Sequence, residues 1–210
     1  MKKSFAVLGT ILTAGMLTVP VYASDSPSVY ISGDAGSSWF NDIKPKDPLT
    51  NTEGPTITTT AGINVLGALG VKWCDNYRLE AEFGYQRNNA DKYTHGPMVV
   101  DLPGNFSVTS YTANGYYDFK AGGVNPYLTA GIGLAQVGVH GVPNPPDIIN
   151  ETHSALGYQF GAGLSIPLNK NVDFDVRYRY YRTSTVSLDN NGGNFQIASN
   201  SILAGLRVGL

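Results

Sequence analysis

The segment Val172-Asp173-Phe174-Asp175-Val176-Arg177-Tyr178-Arg179-Tyr180 decides the fold class. Apolar or aromatic residues alternate strictly with charged residues along its whole length. Because successive side chains of a β-strand point to opposite faces, this pattern predicts a strand with one apolar and one charged face. The segment from Tyr77 to Gln86 repeats the pattern, with Arg78, Glu80 and Glu82 on its polar face.

Six further segments show the same period of two, at about residues 28–39, 61–73, 105–119, 126–138, 155–166 and 197–210. The apolar phase of the 105–119 segment slips between Val108 and Tyr111, which predicts a β-bulge there. Three connections are short, at residues 74–76, 120–124 and 167–171, and four are long and polar, at 40–60, 88–104, 139–154 and 183–196. Eight strands joined in this way predict an all-β fold, an eight-stranded antiparallel up-and-down transmembrane barrel with all long loops at one rim.

Alternation alone does not say which face points outward, because a soluble barrel has the same period with its apolar face inside. The apolar faces carry no charge until the strand ends, at Arg87 and Arg182, whereas a lipid-facing Arg at the bilayer midplane would cost ~2–4 kcal/mol. Glycines such as Gly70, Gly131 and Gly163 share the polar face, where they would make room for long side chains inside a narrow barrel. Both observations favour a lipid-facing apolar surface.

Aromatic residues cluster near both predicted rims, as in the belts that mark the two membrane interfaces. Near the loop rim these are Trp39, Phe40, Tyr85, Phe106, Tyr180 and Tyr181, and near the turn rim Trp73, Tyr77, Tyr117, Phe119 and Tyr127. The alternative is that aromatic residues simply favour strands.

The charged residues on the polar faces nearly balance, with six acidic and five basic side chains. They predict a paired network that plugs the interior, because buried charges are tolerated only when they are paired and hydrogen-bonded. The alternative is a narrow ion path along the same residues, as in a small porin. The predicted interior residues are Asp34, Lys72, Arg78, Glu80, Glu82, Asp118, Asp173, Asp175, Arg177, Arg179 and Arg207.

Residues 1–23 have the pattern of a cleaved signal peptide: Lys2 and Lys3, an apolar run, and cleavage between Ala23 and Ser24. The alternative, an uncleaved membrane anchor, is disfavoured because the apolar run is short. Residues 24–210 then form the barrel domain. Cleavage removes two of the 14 basic residues and none of the 16 acidic ones, which leaves a net charge of −4. That charge argues against nucleic-acid binding, which needs a basic face.

The sequence offers little that would support catalysis. The alternative of a lipid-modifying outer-membrane enzyme would rest on His153 and Ser154, with Glu151 nearby, as a serine hydrolase. Adjacent strand residues point to opposite faces, which disfavours it. No metal-ligand spacing, phosphate-binding loop or nucleophile elbow is present in the sequence. A single cysteine, Cys74, excludes an internal disulfide and reads as a free thiol in a turn. We expect a non-enzyme without a cofactor.

The stretches 114–119 (NGYYDF) and 125–133 (NPYLTAGIG) resemble the middle hairpin of small outer-membrane β-barrel proteins, among them opacity-type adhesins and surface antigens. Residues 160–181 resemble the next hairpin of that group. We expect a monomer in the outer membrane of a Gram-negative-type bacterium, surrounded by lipid and delivered by periplasmic chaperones and the barrel-insertion machinery. The resemblance is specific for the fold but not for the function, since such barrels serve as adhesins, antigens, structural anchors and small porins, and it implies no cofactor and no catalytic residues. With the plugged interior, we expect a structural or adhesin-like scaffold that acts through four long extracellular loops on an extracellular ligand. Many such barrels end in an aromatic residue, whereas this sequence ends in Leu210.

Overall fold

A computed structural model describes residues 27–45, 54–74, 76–144, 147–187 and 194–210. The predicted signal peptide and its cleavage position lie outside these residues. Twelve strands are present in the described ranges: β1 (Ser28–Phe40), β2 (Thr56–Thr59), β3 (Gly62–Trp73), β4 (Tyr77–His95), β5 (Met98–Asp101), β6 (Asn105–Asp118), β7 (Asn125–Asn144), β8 (Asp147–Pro167), β9 (Val172–Thr183), β10 (Val186–Ser187), β11 (Asn194–Phe195) and β12 (Ala198–Gly209).

Eight of these strands close into an antiparallel ring. The order of neighbours is β1, β3, β4, β6, β7, β8, β9 and β12, and β12 pairs back onto β1 from Tyr30↔Gly209 to Phe40↔Ser199. Closure leaves the ring without an edge, so backbone groups can be satisfied within lipid. The predicted eight-stranded barrel is confirmed. No helix in the described ranges is long and apolar enough to cross a membrane.

The strands extend well beyond the predicted limits at the loop end. β4 continues to His95, β7 runs to Asn144 and β8 begins at Asp147, so the loops predicted at 88–104 and 139–154 are in large part strands. β2 and β5 pair with the upper part of β4 on opposite sides, and β10 pairs with β11. The polar composition predicted loops because these strands rise above the lipid, where both faces of a strand can be polar.

The β-bulge predicted between Val108 and Tyr111 is wrong. β6 keeps continuous register with both neighbours, and Phe106 and Val108 point inward like Ser110 below them. The apparent slip arises because the interior itself becomes apolar toward the loop end. A register shift instead occurs in β7 between His140 and Val142, where Gly141 adopts a φ of 69°.

Large apolar side chains cover the outer surface of the ring, for example Leu79, Phe83, Leu128, Ile132 and Phe160. Seven of the eleven residues predicted for the aromatic belts lie on this outer surface. The other four are buried inside the barrel, namely Phe40, Phe106, Tyr127 and Tyr181. The belt prediction is wrong for these four because their positions share the phase of the interior residues.

Inward glycines accommodate inward tyrosines. A Cβ atom at Gly70 would lie 2.2 Å from the ring of Tyr30, and one at Gly163 would lie 2.4 Å from the ring of Tyr127. Both distances are far below van der Waals contact, so only glycine leaves room for these rings. The inward glycines in the sequence therefore indicate that the interior is narrow.

Candidate functional site

The interior of the ring holds most of the charged residues assigned to it from the sequence. Eight are buried, while Asp34 and Asp173 are partly buried. Lys72 is also only partly buried, at the turn end, and belongs to none of the ion pairs formed by the described residues. The structure thus brings ten of the eleven together, as six carboxylates and four guanidinium groups.

Glu82 lies at the centre of this interior network. Its Oε2 accepts a hydrogen bond from Nη1 of Arg177 at 3.1 Å, and its Oε1 lies 3.7 Å from Nη2 of Arg179. The same Oε1 accepts from Nε2 of Gln159 at 3.1 Å and from the hydroxyl of Thr112 at 3.4 Å. The Glu82 side chain is 1% exposed, so the two cations and the two neutral donors replace its lost hydration.

A second group surrounds Glu80, nearer the turn end. The hydroxyls of Tyr30 and Tyr116 donate to its two oxygens at 2.8 and 2.6 Å, and Arg78 Nη1 lies 3.5 Å from Oε1. Arg78 also makes a two-pronged contact with Asp118, in which Nε and Nη2 each donate at 2.8 Å. This fork geometry is the strongest form of a guanidinium–carboxylate contact.

Arg177 connects these two groups. Its Nη1 donates to the hydroxyl of Tyr116 at 2.7 Å as well as to Glu82, and its Nη2 donates to Asp34 at 3.0 Å. One guanidinium thus links side chains of β1, β4, β6 and β9 across the lumen. Arg207 forms the periplasmic end of the network.

Arg207 Nη2 donates to Asp173 at 2.8 Å and to the hydroxyl of Ser165 at 2.7 Å, and Nη1 lies 3.7 Å from Asp175. Next to this layer, a cavity of about 10 Å³ is bordered by Asp34, Tyr127 and Asp175, among others. This volume is about what a single water molecule needs, so the side chains themselves fill the lumen here.

Uncharged residues complete the network, and the sequence reasoning missed them. Tyr30, Tyr116 and Gln159 are as deeply involved as the charged residues. Their positions share the strand phase of the inward charges, which is the signal that could have identified them. Above Glu82, neutral side chains also bond to one another, such as Asn64 with Ser201 and Asn88 with Ser38.

An apolar cluster fills the lumen at the loop end, and we call it the apolar cap. Both the barrel strands and the neighbouring loop segments contribute side chains to it. Its buried members are Phe40, Ile43, Leu102, Phe106, Val108, Ala135, Val137, Val139, Val142, Ala155, Tyr181, Val186, Phe195 and Ile197. The interior is therefore layered, with charged residues toward the turns, neutral polar residues above them and the apolar cap at the extracellular end.

The residues that could have suggested hydrolysis do not converge. His153 Nε2 lies 2.9 Å from Glu151 Oε2 on one face of β8, while Ser154 is exposed on the other face. A nucleophile must lie within hydrogen-bond reach of its base, and this arrangement does not provide that. Among the described residues, no group of three or more His, Cys, Asp or Glu side chains is placed to hold a metal ion. Cys74 is exposed in the first turn.

Comparison with known proteins places this arrangement in a known group. Residues 9–207 match the profile of the outer membrane protein beta-barrel domain. The outer membrane protein PagN of Salmonella typhimurium is 29% identical over 191 residues, which cover 80% of each chain.

Solved structures share the fold. Neisserial surface protein A (NspA) superimposes with a TM-score of 0.57 at 23% identity, covering 88% of this chain and 99% of the other. The outer membrane protease OmpT from Escherichia coli gives a TM-score of 0.52 at 10% identity, over 87% of this chain and 97% of its own. At such low identities the likeness concerns the fold alone, and one fold serves proteins with and without enzymatic activity.

Proposed function

Because the chain belongs to the outer-membrane β-barrel protein family, and so resides in the outer membrane of a Gram-negative bacterium, we propose that it is a plugged scaffold acting through its extracellular end. The observation that carries the proposal is that the lumen is filled by side chains at two levels. The interior network occupies its lower part and the apolar cap its upper part. An ion passing the cap would have to give up hydration against its buried apolar side chains.

The extracellular end supports a role in surface contacts. β7 continues eight residues beyond Gln136, the first polar residue on its outer face, which is about 26 Å of strand at 3.3 Å per residue. β4 rises in the same way and carries β5 as an edge strand, whose residues Met98, Val99 and Val100 are all exposed. Rigid strands that carry an exposed apolar tip above the lipid are suited to binding another molecule.

The proposal includes no catalytic step, since the only acid–histidine pair noted above is not joined to a nucleophile. The proposed protein is a monomer that consists of the chain after removal of residues 1–23. Chaperones of the periplasm and the barrel-insertion machinery would act before the ring closes, while the strand edges of β1 and β12 still need partners.

Electrical recording tests the plugged interior. Purified protein reconstituted into planar bilayers is expected to show no stable conductance, because the interior network and the apolar cap together would exclude a continuous water path. A known porin added to the same bilayer serves as the positive control. Stable, sizeable channel openings that scale with the amount of pure protein would contradict the plug and favour the small-porin alternative.

Adhesion assays test the extracellular tip. A non-adherent bacterial strain expressing the protein is expected to bind cultured cells or matrix-coated surfaces several-fold more than the empty strain. Replacing Met98, Val99 and Val100 with Ser, Thr and Thr should abolish this gain, because it removes the apolar contact while keeping strand propensity. Replacing Ile148, an exposed apolar residue of β8, with Thr is the matched control. Equal adhesion of the tip variant and the wild type would contradict this part of the proposal.

A further inference from the structure

The lipid-facing surface of the barrel has a definite outer boundary. The series of outward residues runs from Tyr77 to Arg87 on β4, from Val172 to Arg182 on β9, and from Leu210, just after β12, to Asn200 on β12. Each series spans eleven residues. Tilted strands of about 9–11 residues cross the apolar part of a bilayer. The outer ends of these series therefore lie at the level of the lipid headgroups.

One part of this boundary differs from the rest. On the outer face of β9, β12 and β1, and at Asn41 just after β1, six side chains form what we call the rim patch: Trp39, Asn41, Tyr178, Tyr180, Arg182 and Asn200. The hydroxyl of Tyr178 donates to Oδ1 of Asn200 at 2.6 Å, and Nδ2 of Asn200 donates to Oδ1 of Asn41 at 2.9 Å. Trp39 stands directly opposite Asn200 in the β1–β12 register.

Arg182 supplies the charge of the rim patch. One of its five N–H donors is bonded to Gln196, which is itself fixed by a 3.0 Å hydrogen bond from its Nε2 to Thr185. The guanidinium is thus held in place while most of its donors stay available. Tyr180 lies two residues before Arg182 on the same outward face.

We propose that the rim patch binds the phosphate of an anionic lipid in the outer leaflet. A phosphate is the charge complement of a guanidinium and accepts several hydrogen bonds from it at once. The aromatic rings of Trp39, Tyr178 and Tyr180 would pack against the upper acyl chains, as aromatic residues do at membrane interfaces. This proposal is independent of the plug and of the extracellular tip.

The depth of the rim patch in the membrane favours a lipid over other ligands. A soluble macromolecule would have to displace headgroups to reach Tyr178, which lies four residues below the boundary on β9. A second copy would bring Arg182 close to an identical cation across a two-fold axis. A lipid phosphate meets neither obstacle.

Lipid titration of the intact protein tests the proposal. Protein in an uncharged detergent is titrated with phosphorylated lipid A, with the dephosphorylated acylated disaccharide and with inorganic phosphate, and binding is followed by native mass spectrometry. We expect binding of the phosphorylated lipid only. Arg182→Gln should weaken it about tenfold or more, the effect of losing a charge-assisted hydrogen bond.

Arg87→Gln is the matched control, because Arg87 also ends an eleven-residue series but has Ile63 and Ser107 as its cross-strand neighbours. It should leave lipid binding unchanged. An equal loss in both variants would mean general charge attraction and would overturn the proposal. So would unchanged binding by Arg182→Gln, or equally tight binding of inorganic phosphate or the dephosphorylated lipid. Heat-modified migration on gels confirms that each variant is folded.

Discussion

Replacing Glu82 with Ala is expected to lower the free energy of unfolding by about 3–5 kcal/mol, the usual result of removing one partner from a buried ion pair. Glu82 faces both Arg177 and Arg179, and its side chain is 1% exposed. Without it, Arg179 retains Gln159 as a hydrogen-bond partner but has no carboxylate in contact. The expected loss therefore comes mainly from an uncompensated buried cation rather than from the missing contact.

Urea titration of the protein in lipid vesicles measures this change. Asp173→Ala is the matched control, because the Asp173 side chain is 31% exposed and its partner Arg207 keeps both Ser165 and Asp175. We expect the control to lose at most about 1 kcal/mol. If Glu82→Ala proved no more damaging than Asp173→Ala, the interior would not be a paired network.

Replacing Ile132 with Arg is expected to lower the free energy of unfolding by about 2–4 kcal/mol, the range for an Arg facing lipid at the bilayer midplane. Ile132 is 56% exposed on the outer face of β7, midway between Pro126 at the turn end and Gln136. Its neighbours on that face, Leu128 and Leu134, are also exposed and apolar. The exposed side chains described around Ile132 on the outer face are apolar, so they offer the guanidinium no partner.

Gln136→Arg is the control for depth, since the same substitution at the outer boundary should cost only about 0–1 kcal/mol. Both variants are compared by urea titration in the same vesicles. A small effect at Ile132 would mean that this face does not contact lipid, as in a soluble barrel with solvent on its outer surface. A large effect at both positions would place the boundary farther from the turns.

The sequence was sufficient to predict the ring and most of its interior residues, because strict alternation distinguishes the two faces of a strand. In β9, the positions of Asp175, Arg177 and Arg179 predicted their inward direction correctly. Alternation also identified Glu80 and Glu82 as inward neighbours on β4. A period of two does not reveal which distant strands meet across the lumen, so the bridge from Arg177 to Asp34 could not be predicted.

Most of the errors have a common physical origin at the loop end. Within the bilayer the outside of the ring is apolar and the inside is polar, but above the lipid the outside meets water. Phe106 and Val108 are therefore inward in the same phase as Asn114 and Asp118, and no bulge is needed to explain them. Tyr181 was misplaced for the same reason. Sequence patterns record which residues share a face but not where the surroundings of that face change.

The apolar cap gives the molecule two thermodynamic regimes. Side chains that face lipid are not transferred out of water when the ring closes within the bilayer. Phe106, Val137 and Ile197, in contrast, are buried from water, as in a soluble protein. Burial from water carries a large heat-capacity change, and its stabilisation weakens on cooling. We therefore expect the extracellular end to have its own temperature of maximum stability and to open locally while the membrane-embedded ring stays intact.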